Sequence, residues 1–542
     1  MEKRLLLAVF LSMVVVFGFQ TVFGPKNKDN SRFPQDIGNK DVVEYSIDKN
    51  VIDQPSSPVS SKVFDLKQQG NEASFKEETI SVSDKGFDVT FTNKGGNIQD
   101  IKISKYGYVA LVNKFVNFKE FEDKAFRYNK ISSTKHSMVY EGEGLEVSKN
   151  YILEQPFLVR VDIEIKNNAD IARSISASTE FFNINLARVD KNVQTADWTL
   201  FEYSIKSNKR IIRKDNVNKF NDKWNKEESV DVEWIGFRDR YFATIVQPKK
   251  PFDKYHVKSN GETQLSLGGD FRAEIINPGQ TKTYSFTIYL GPQNLDLLKQ
   301  ASPGFEKIMV FSNWGWLDAI SKGIYWILGT LYKVIPSWGL CIILISLIIY
   351  GAMYPLTLKS LVSMKKMQAL QPKMAELKKK HEKSPEKMNQ EVMELYRRNG
   401  VNPLSGCLPM LLQMPIFVGL YQVLWRSFYF RGEGFLWIKD LSMPDQLFKL
   451  PFTIPFLGEY FNILPILMAI IMFFQQKMNM TNISSADSEQ QQQQKMMLYF
   501  MPILMGFIFY NFASGLCVYF VVFYALSGYS QWKISKDMKA VV

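Results

Sequence analysis

A chain of 542 residues is too long for one ordinary domain, and its 46% apolar content is concentrated at the N-terminus and after about Ser337. The formal charge of +12 would suit nucleic acid, but the densest basic block lies between two apolar stretches; that assigns the charge to a membrane flank and excludes DNA as a partner. Cys341, Cys407 and Cys517 all sit in or beside apolar stretches and His136, His256 and His381 are scattered, so the polar middle has no disulfide and no spacing for a metal or other cofactor is present.

Lys3 and Arg4 precede an uncharged run from Leu5 to Phe23, long enough to cross a hydrocarbon core. Val22-Phe23-Gly24 is only a passable cleavage site, so residues 1–24 read as a retained signal-anchor in preference to a cleaved signal peptide. Residues 25–83, rich in Asn, Asp, Ser, Lys and Pro, read as a tether. Between 84 and 312, apolar residues alternate with polar ones between turn signals, as at Val89 and Phe91, Val159 to Ile165, and Tyr284, Phe286 and Ile288. This predicts a large antiparallel β-sandwich on the exported side. No phosphate loop, HExxH or GxSxG occurs, which argues against an enzyme and against nucleotide hydrolysis.

Trp316, Ile320, Ile324, Ile327, Leu331 and Val334 recur at three or four residues and predict an amphipathic interfacial helix within 313–336. Five further apolar segments follow in 337–532: Trp338 to Thr357, Cys407 to Trp425, Phe461 to Gln476, Met496 to Asn511 and Leu516 to Trp532. Their interiors hold no Asp, Glu, Lys or Arg, and with the first segment they predict six spans of a polytopic α-helical membrane protein. The basic loop 359–400 is read as cytoplasmic and the loop Ser427 to Tyr460 as external, with Phe428, Tyr429, Phe430 and Trp437 at the lipid interface. Both termini are then cytoplasmic. Residues 533–542 form a tail whose lysines serve either as a solvated positive-inside end or as an electrostatic contact to the ribosome.

Within the basic loop, Met364, Met367, Leu370, Met374 and Leu377 follow helical spacing, and Ser384-Pro385-Glu386 starts a second helix. The predicted hairpin has a Met-rich face, which either binds nascent apolar segments or packs within the hairpin.

Tyr350-Gly-Ala-Met-Tyr-Pro-Leu356, Met367-Gln-Ala-Leu-Gln-Pro-Lys373, Asn402-Pro-Leu-Ser-Gly-Cys407, Gln413-Met-Pro-Ile-Phe417 and Phe473-Phe-Gln-Gln-Lys-Met478 resemble the YidC insertase family. Trp234, Tyr241-Phe242-Ala243 and Tyr289-Leu-Gly-Pro292 resemble the large first exported loop of its Gram-negative form. The resemblance implies an inner-membrane insertase and chaperone for nascent membrane proteins, acting in the bilayer alone or beside a Sec translocon. It further implies a five-helix core enclosing a hydrophilic groove, open to cytoplasm and lipid and closed on the outer side.

The family usually has an arginine where this chain has Tyr350, and often a second tyrosine where it has Phe520. The expected groove therefore carries no fixed charge. Ser346, Tyr350, Gln413, Gln422 and Gln475 keep it wet, and Tyr519 and Phe520 provide sliding contacts.

Two other classes compete. A secondary transporter would suit the proline-bearing helices (Pro409, Pro415, Pro502), but the spans lack the ionisable residues of an ion relay. A membrane-tethered carbohydrate-binding or carbohydrate-active protein would suit the sandwich, but needs a paired acid and base that sequence does not display.

Overall fold

The computed structural model describes residues 76–84, 87–106, 108–110, 112–113, 115–155, 157–175, 178–185, 201–208, 210–214, 223–260, 264–381, 384–402, 408–455, 457–480 and 488–539. The expected signal-anchor 1–24, residues 25–75 of the expected tether and Cys407 lie outside them.

The strand Leu158–Asn167 shows how the first half folds. Val159, Val161, Ile163 and Ile165 are buried while Arg160, Glu164 and Lys166 face solvent, as a pleated strand with one core face requires. It runs antiparallel between Leu145–Gln155 and Thr281–Pro292, setting Val161 opposite Phe286 and Ile163 opposite Tyr284. Repetition of this pattern builds a fourteen-stranded sheet, accompanied by a four-stranded one. Together they make a large antiparallel β-sandwich with a continuous core, in which Phe91 of the smaller sheet lies 5.2 Å from Tyr151 of the larger. The first described strand, Thr79–Asp84, pairs with Phe87–Thr92 and falls inside the stretch that composition suggested was tether.

A lysine is buried in this core. Lys149 is fully enclosed, and its Nζ donates to the carbonyl of Gly95 at 2.6 Å and to Asn97 Oδ1 at 2.8 Å, tying the larger sheet to a turn of the smaller. That turn needs glycine: Gly96 has a φ of +58°, and a Cβ on it would meet the Phe126 ring at 2.7 Å. Burial lowers the Lys149 ammonium from its ordinary 10.5 to about 7.

The second half is helical. α1 (Leu295–Ala301) is capped by the Asn294 side chain and leads into α2 (Gly315–Val334). α3 (Trp338–Ala369), α4 (Gln371–Lys380), α5 (Pro385–Arg398), α6 (Leu408–Arg426), α7 (Ile463–Met480), α8 (Ser488–Ile508) and α9 (Ser514–Lys539) follow. Within α3, Trp338–Met367 is long and apolar enough to cross a bilayer; Ile463–Met478 and Leu498–Ile508 are shorter apolar helices. α2 buries Leu317, Ser321, Ile324, Tyr325 and Leu328, and Gly419 of α6 lets it approach, since a Cβ there would lie 3.1 Å from Ile320. Trp316 and Val334, expected on the apolar face, are exposed, as is Trp326.

The basic loop differs in detail from its sequence reading. Helical spacing ran without a break from Met364 to Leu377, but the chain breaks at Leu370 because Pro372 has no N–H to continue the ladder. Met364 and Met367 therefore extend α3, and Met374 lies on α4. Met367 and Met374 pack within the hairpin around Leu370, Tyr396 and Val401, and the Tyr396 hydroxyl lies 2.9 Å from Met374 Sδ. Ser384 begins α5 without a side-chain capping bond, and α9 continues to Lys539 through most of the expected tail.

Lys149 yields a test of the core. Between pH 7 and 10.5 the unfolded chain holds a proton that folded Lys149 lacks, so stability rises with pH, by at most about 1.4 kcal/mol per pH unit. Urea unfolding of the detergent-solubilised protein, followed by near-ultraviolet circular dichroism at pH 7 and pH 9.5, is expected to show this gain. Lys149→Met is expected to reduce the gain while lowering stability at both pH values.

Candidate functional site

α9 is the helix on which the site is built. Its N-terminal amides are satisfied by the loop before α7: Ser514 N donates to the Met443 carbonyl at 2.7 Å and Gly515 N to that of Leu441 at 3.0 Å. Gly515 is required there, because a Cβ would come 3.0 Å from Ile342 and 3.1 Å from the Leu441 carbonyl. The same loop caps α7, with Asp445 Oδ2 accepting from the amides of Ile463 and Leu464 at 2.8 and 3.1 Å.

Down one face of α9, at spacings of three or four residues, stand Tyr519, Phe523, Ser527, Ser530 and Gln531. Three other helices meet this face with polar groups. The Gln413 amide of α6 donates to the Tyr519 hydroxyl. Gln475 of α7 donates to Ser527 Oγ at 2.8 Å, and Gln531 reaches the same hydroxyl at 3.4 Å. Tyr350 of α3 donates to Ser530 Oγ at 2.8 Å, its ring edge-on to Phe523 at 5.7 Å. From Tyr519 to Ser530 the stripe extends about 16 Å along the helix, roughly half of a ~30 Å hydrocarbon core. Among the described residues the buried side-chain carbonyls of Gln413, Gln422 and Gln531 have no hydrogen-bond partner, places that a water would satisfy.

The sequence-predicted residues divide accordingly. Tyr350, Gln413, Gln475 and Tyr519 converge on α9. Ser346 is buried, but its hydroxyl donates to the Ile342 carbonyl of its own helix at 2.6 Å. Gln422, nine residues from Gln413, lies half a turn round α6. Phe520 packs against Phe417 and Phe509 at 5.4 and 5.0 Å, inside the helical bundle. Met364, Met367 and Met374 belong to the end of α3 and the hairpin. Ser527, Ser530 and Gln531 were missed, although their spacing from Tyr519 was visible.

A sequence model of the family described as 60Kd inner membrane protein matches residues 330–541, and one described as YidC periplasmic domain matches 117–327. A membrane protein insertase YidC of Pelobacter propionicus is 30% identical over 99% of this chain and 99% of its own length. The chain belongs to the YidC family of membrane protein insertases. Membership makes this an inner-membrane protein with a periplasmic domain. The family is one of insertases, not of enzymes. A YidC of Janthinobacterium is 38% identical, with the match spanning 57% of this chain and only about half, 53%, of the relative. A crystal structure of an active YidC insertase with its first transmembrane domain resolved is 19% identical, covering 84% of this chain and 93% of that one at a TM-score of 0.38.

The periplasmic sandwich is bolted to the helices near this site. Arg240, at the turn between Lys223–Arg238 and Phe242–Pro248, is buried and donates to the Trp425 carbonyl at 2.5 Å and the Ser442 carbonyl at 3.1 Å. Its guanidinium also lies over the Trp425 and Tyr241 rings, and the Tyr241 hydroxyl bonds Ser442 Oγ at 3.0 Å. The turn is held by Asp239, whose carboxylate accepts from the Tyr241 and Phe242 amides and from the Tyr108 hydroxyl. Burial raises the Asp239 carboxyl, against the opposing pull of those donors. Behind it Arg238 pairs with buried Glu202 at 2.8 Å. Burial alone would raise that carboxyl; Arg238 brings it below its ordinary value.

In the loop after α6, three of the aromatics expected at the lipid interface, Phe428, Tyr429 and Phe430, pack against protein, with Phe430 buried against Trp338. Phe428 sits edge-on to Tyr106 of the sandwich at 4.9 Å, and Tyr429 stacks between Tyr325 and Trp338 at 4.8 and 4.5 Å. Trp437 remains exposed.

Arg240→Ala leaves two buried carbonyls without their donor, a loss of about 2–4 kcal/mol in local stability. Faster deuterium uptake across Trp425–Ser442 is expected, with Arg240→Lys recovering only part of the protection because one ammonium replaces a planar fork.

Proposed function

We propose that the protein receives nascent hydrophobic segments along α9 and releases them sideways into the inner membrane, without nucleotide hydrolysis. The observation that carries this reading is the uncharged polar stripe on α9, met by Tyr350, Gln413 and Gln475 from three other helices. In this reading the apolar helices are spans of a six-span protein with cytoplasmic termini. The capped ends of α7 and α9 face the periplasm, and the α4–α5 hairpin faces the cytoplasm.

A polar tail that must cross hydrocarbon meets hydroxyls and amides partway, which divides its desolvation into smaller steps. The substrate's apolar segment drives insertion, at about 0.3–0.6 kcal/mol for each central Leu or Ile. Exposed Met393 on α5 offers a flexible apolar contact at the cytoplasmic entrance. Action alone or beside a Sec translocon, and contact between the basic C-terminal end and the ribosome, belong to the same proposal.

The test is reconstitution in nucleotide-free liposomes, scoring protease-protected insertion of a small single-span protein. Faster insertion than in empty liposomes is expected; equal rates would refute autonomous insertion, and adding the translocon would then show whether it is required. Tyr350→Phe removes the hydroxyl that bonds Ser530 and keeps the ring, so insertion of substrates with polar tails is expected to slow roughly two- to tenfold. Short-tailed apolar substrates are expected to insert at parental rates. Parental rates for both would remove Tyr350 from the groove.

A further inference from the structure

The loop that caps α7 and α9 also carries a β-hairpin that touches little else. Its strands, Phe448–Ile454 and Gly458–Phe461, pair only with each other among the described residues, and neither has a buried residue. Register holds at Lys449 opposite Tyr460 and again at Ile454 opposite Gly458, and the intervening residues bulge outward. Phe452, 61% exposed, stands on that bulge, and Phe448, 51% exposed, stacks on Phe461 at 5.0 Å. A two-stranded hairpin with large apolar side chains exposed is marginal in water and needs a cover.

Three observations identify the cover as lipid. Within the described hairpin the charges are Lys449 and Glu459, and they neutralise each other at 2.9 Å. Pro451 in the bulge and Pro455 in the turn remove two N–H donors that would otherwise lack a strand partner. The hairpin also runs directly into α7 through Asn462, whose side-chain amide donates to the Tyr510 carbonyl just past α8 at 2.8 Å. Its apolar surface is therefore joined to α7 and α8, which themselves expose Ile470 and Phe507.

We propose that this hairpin is a monotopic anchor, with Phe448 and Phe452 immersed in the outer leaflet of the bilayer. It holds the capping loop, and with it the outer ends of α7 and α9, at a fixed depth in the membrane. The inference rests on α7 spanning the membrane, and the test reads that separately.

The full chain carrying Phe452→Cys or Ile470→Cys is spin-labelled and reconstituted in phosphatidylethanolamine–phosphatidylglycerol liposomes. Both variants are made in a Cys407→Ser background, and that background protein treated identically measures labelling of the remaining cysteines, Cys341 and Cys517, which are buried. The collision rates of each label with oxygen, which partitions into lipid, and with a water-soluble nickel chelate are then compared. Expected is a lipid signature at both positions, shallower at 452: frequent oxygen collisions and nickel collisions reduced at least severalfold below those of an aqueous label at Ile131→Cys. A lipid signature at 470 with an aqueous one at 452 would overturn the anchor and leave the span intact. Shielding from both reagents at 452 would overturn it in favour of a protein partner or a second copy. An aqueous signature at both positions would overturn the span and the anchor together.

Discussion

A polar group carried into hydrocarbon must find its partner within the protein, and the helical half of this molecule is arranged around that constraint. The loop between α6 and α7 spends its own carbonyls and the Asp445 carboxylate on the first amides of α9 and α7, so that these helices begin without orphaned donors. Along α9 the same requirement is met between side chains, with α3, α6 and α7 each contributing one partner. The bonds that satisfy the helices also hold them together. A stripe whose hydroxyls bridge separate helices can open by exchanging one partner at a time, and each exchange costs far less than stripping a buried group bare.

One turn of the sandwich makes its buried polar tie to this arrangement. Arg238, Asp239 and Arg240 are consecutive but act in three directions: into the sandwich core toward Glu202, onto the turn's own amides, and across to the helices. Lys149 does comparable work at the other sandwich junction, fastening one sheet to a glycine turn of the other. Buried charges are poor sources of net stability but strong sources of registration, because alternative packings would strand them. In both places the charged group has backbone carbonyls as partners, which fixes the fold more tightly than a contact between two mobile side chains.

What the sequence displayed follows from range. Alternation at Val159 to Ile165 announced a strand because period two is a local property, and the core-facing residues could be named from it. The α-helical segments were legible for the same reason. Partnerships across helices were not: nothing in the spacing of Ser527 and Ser530 says that Gln475 and Tyr350 will reach them, and nothing near Phe520 shows that Phe417 and Phe509 enclose it. Pro372 was visible, yet a run of well-spaced methionines hid its effect on the helix ladder. The aromatics Phe428 and Tyr429 were read as lipid-seeking because composition cannot distinguish a ring turned to lipid from one turned to the sandwich or to a neighbouring helix.

The stripe on α9 is made of amides and hydroxyls, each able both to donate and to accept, and the helices around it hold no ionised group midway. Such a lining has no sign. It can solvate an acidic tail and a basic tail equally well by rotating the same side chains, and it exerts no pull on either. If substrates pass along it as proposed, direction must be imposed from outside the stripe, by the basic residues of the hairpin and by the voltage across the bilayer, which act on charge at long range. On the proposed function, the site would set how easily a tail passes, and the field around it which way.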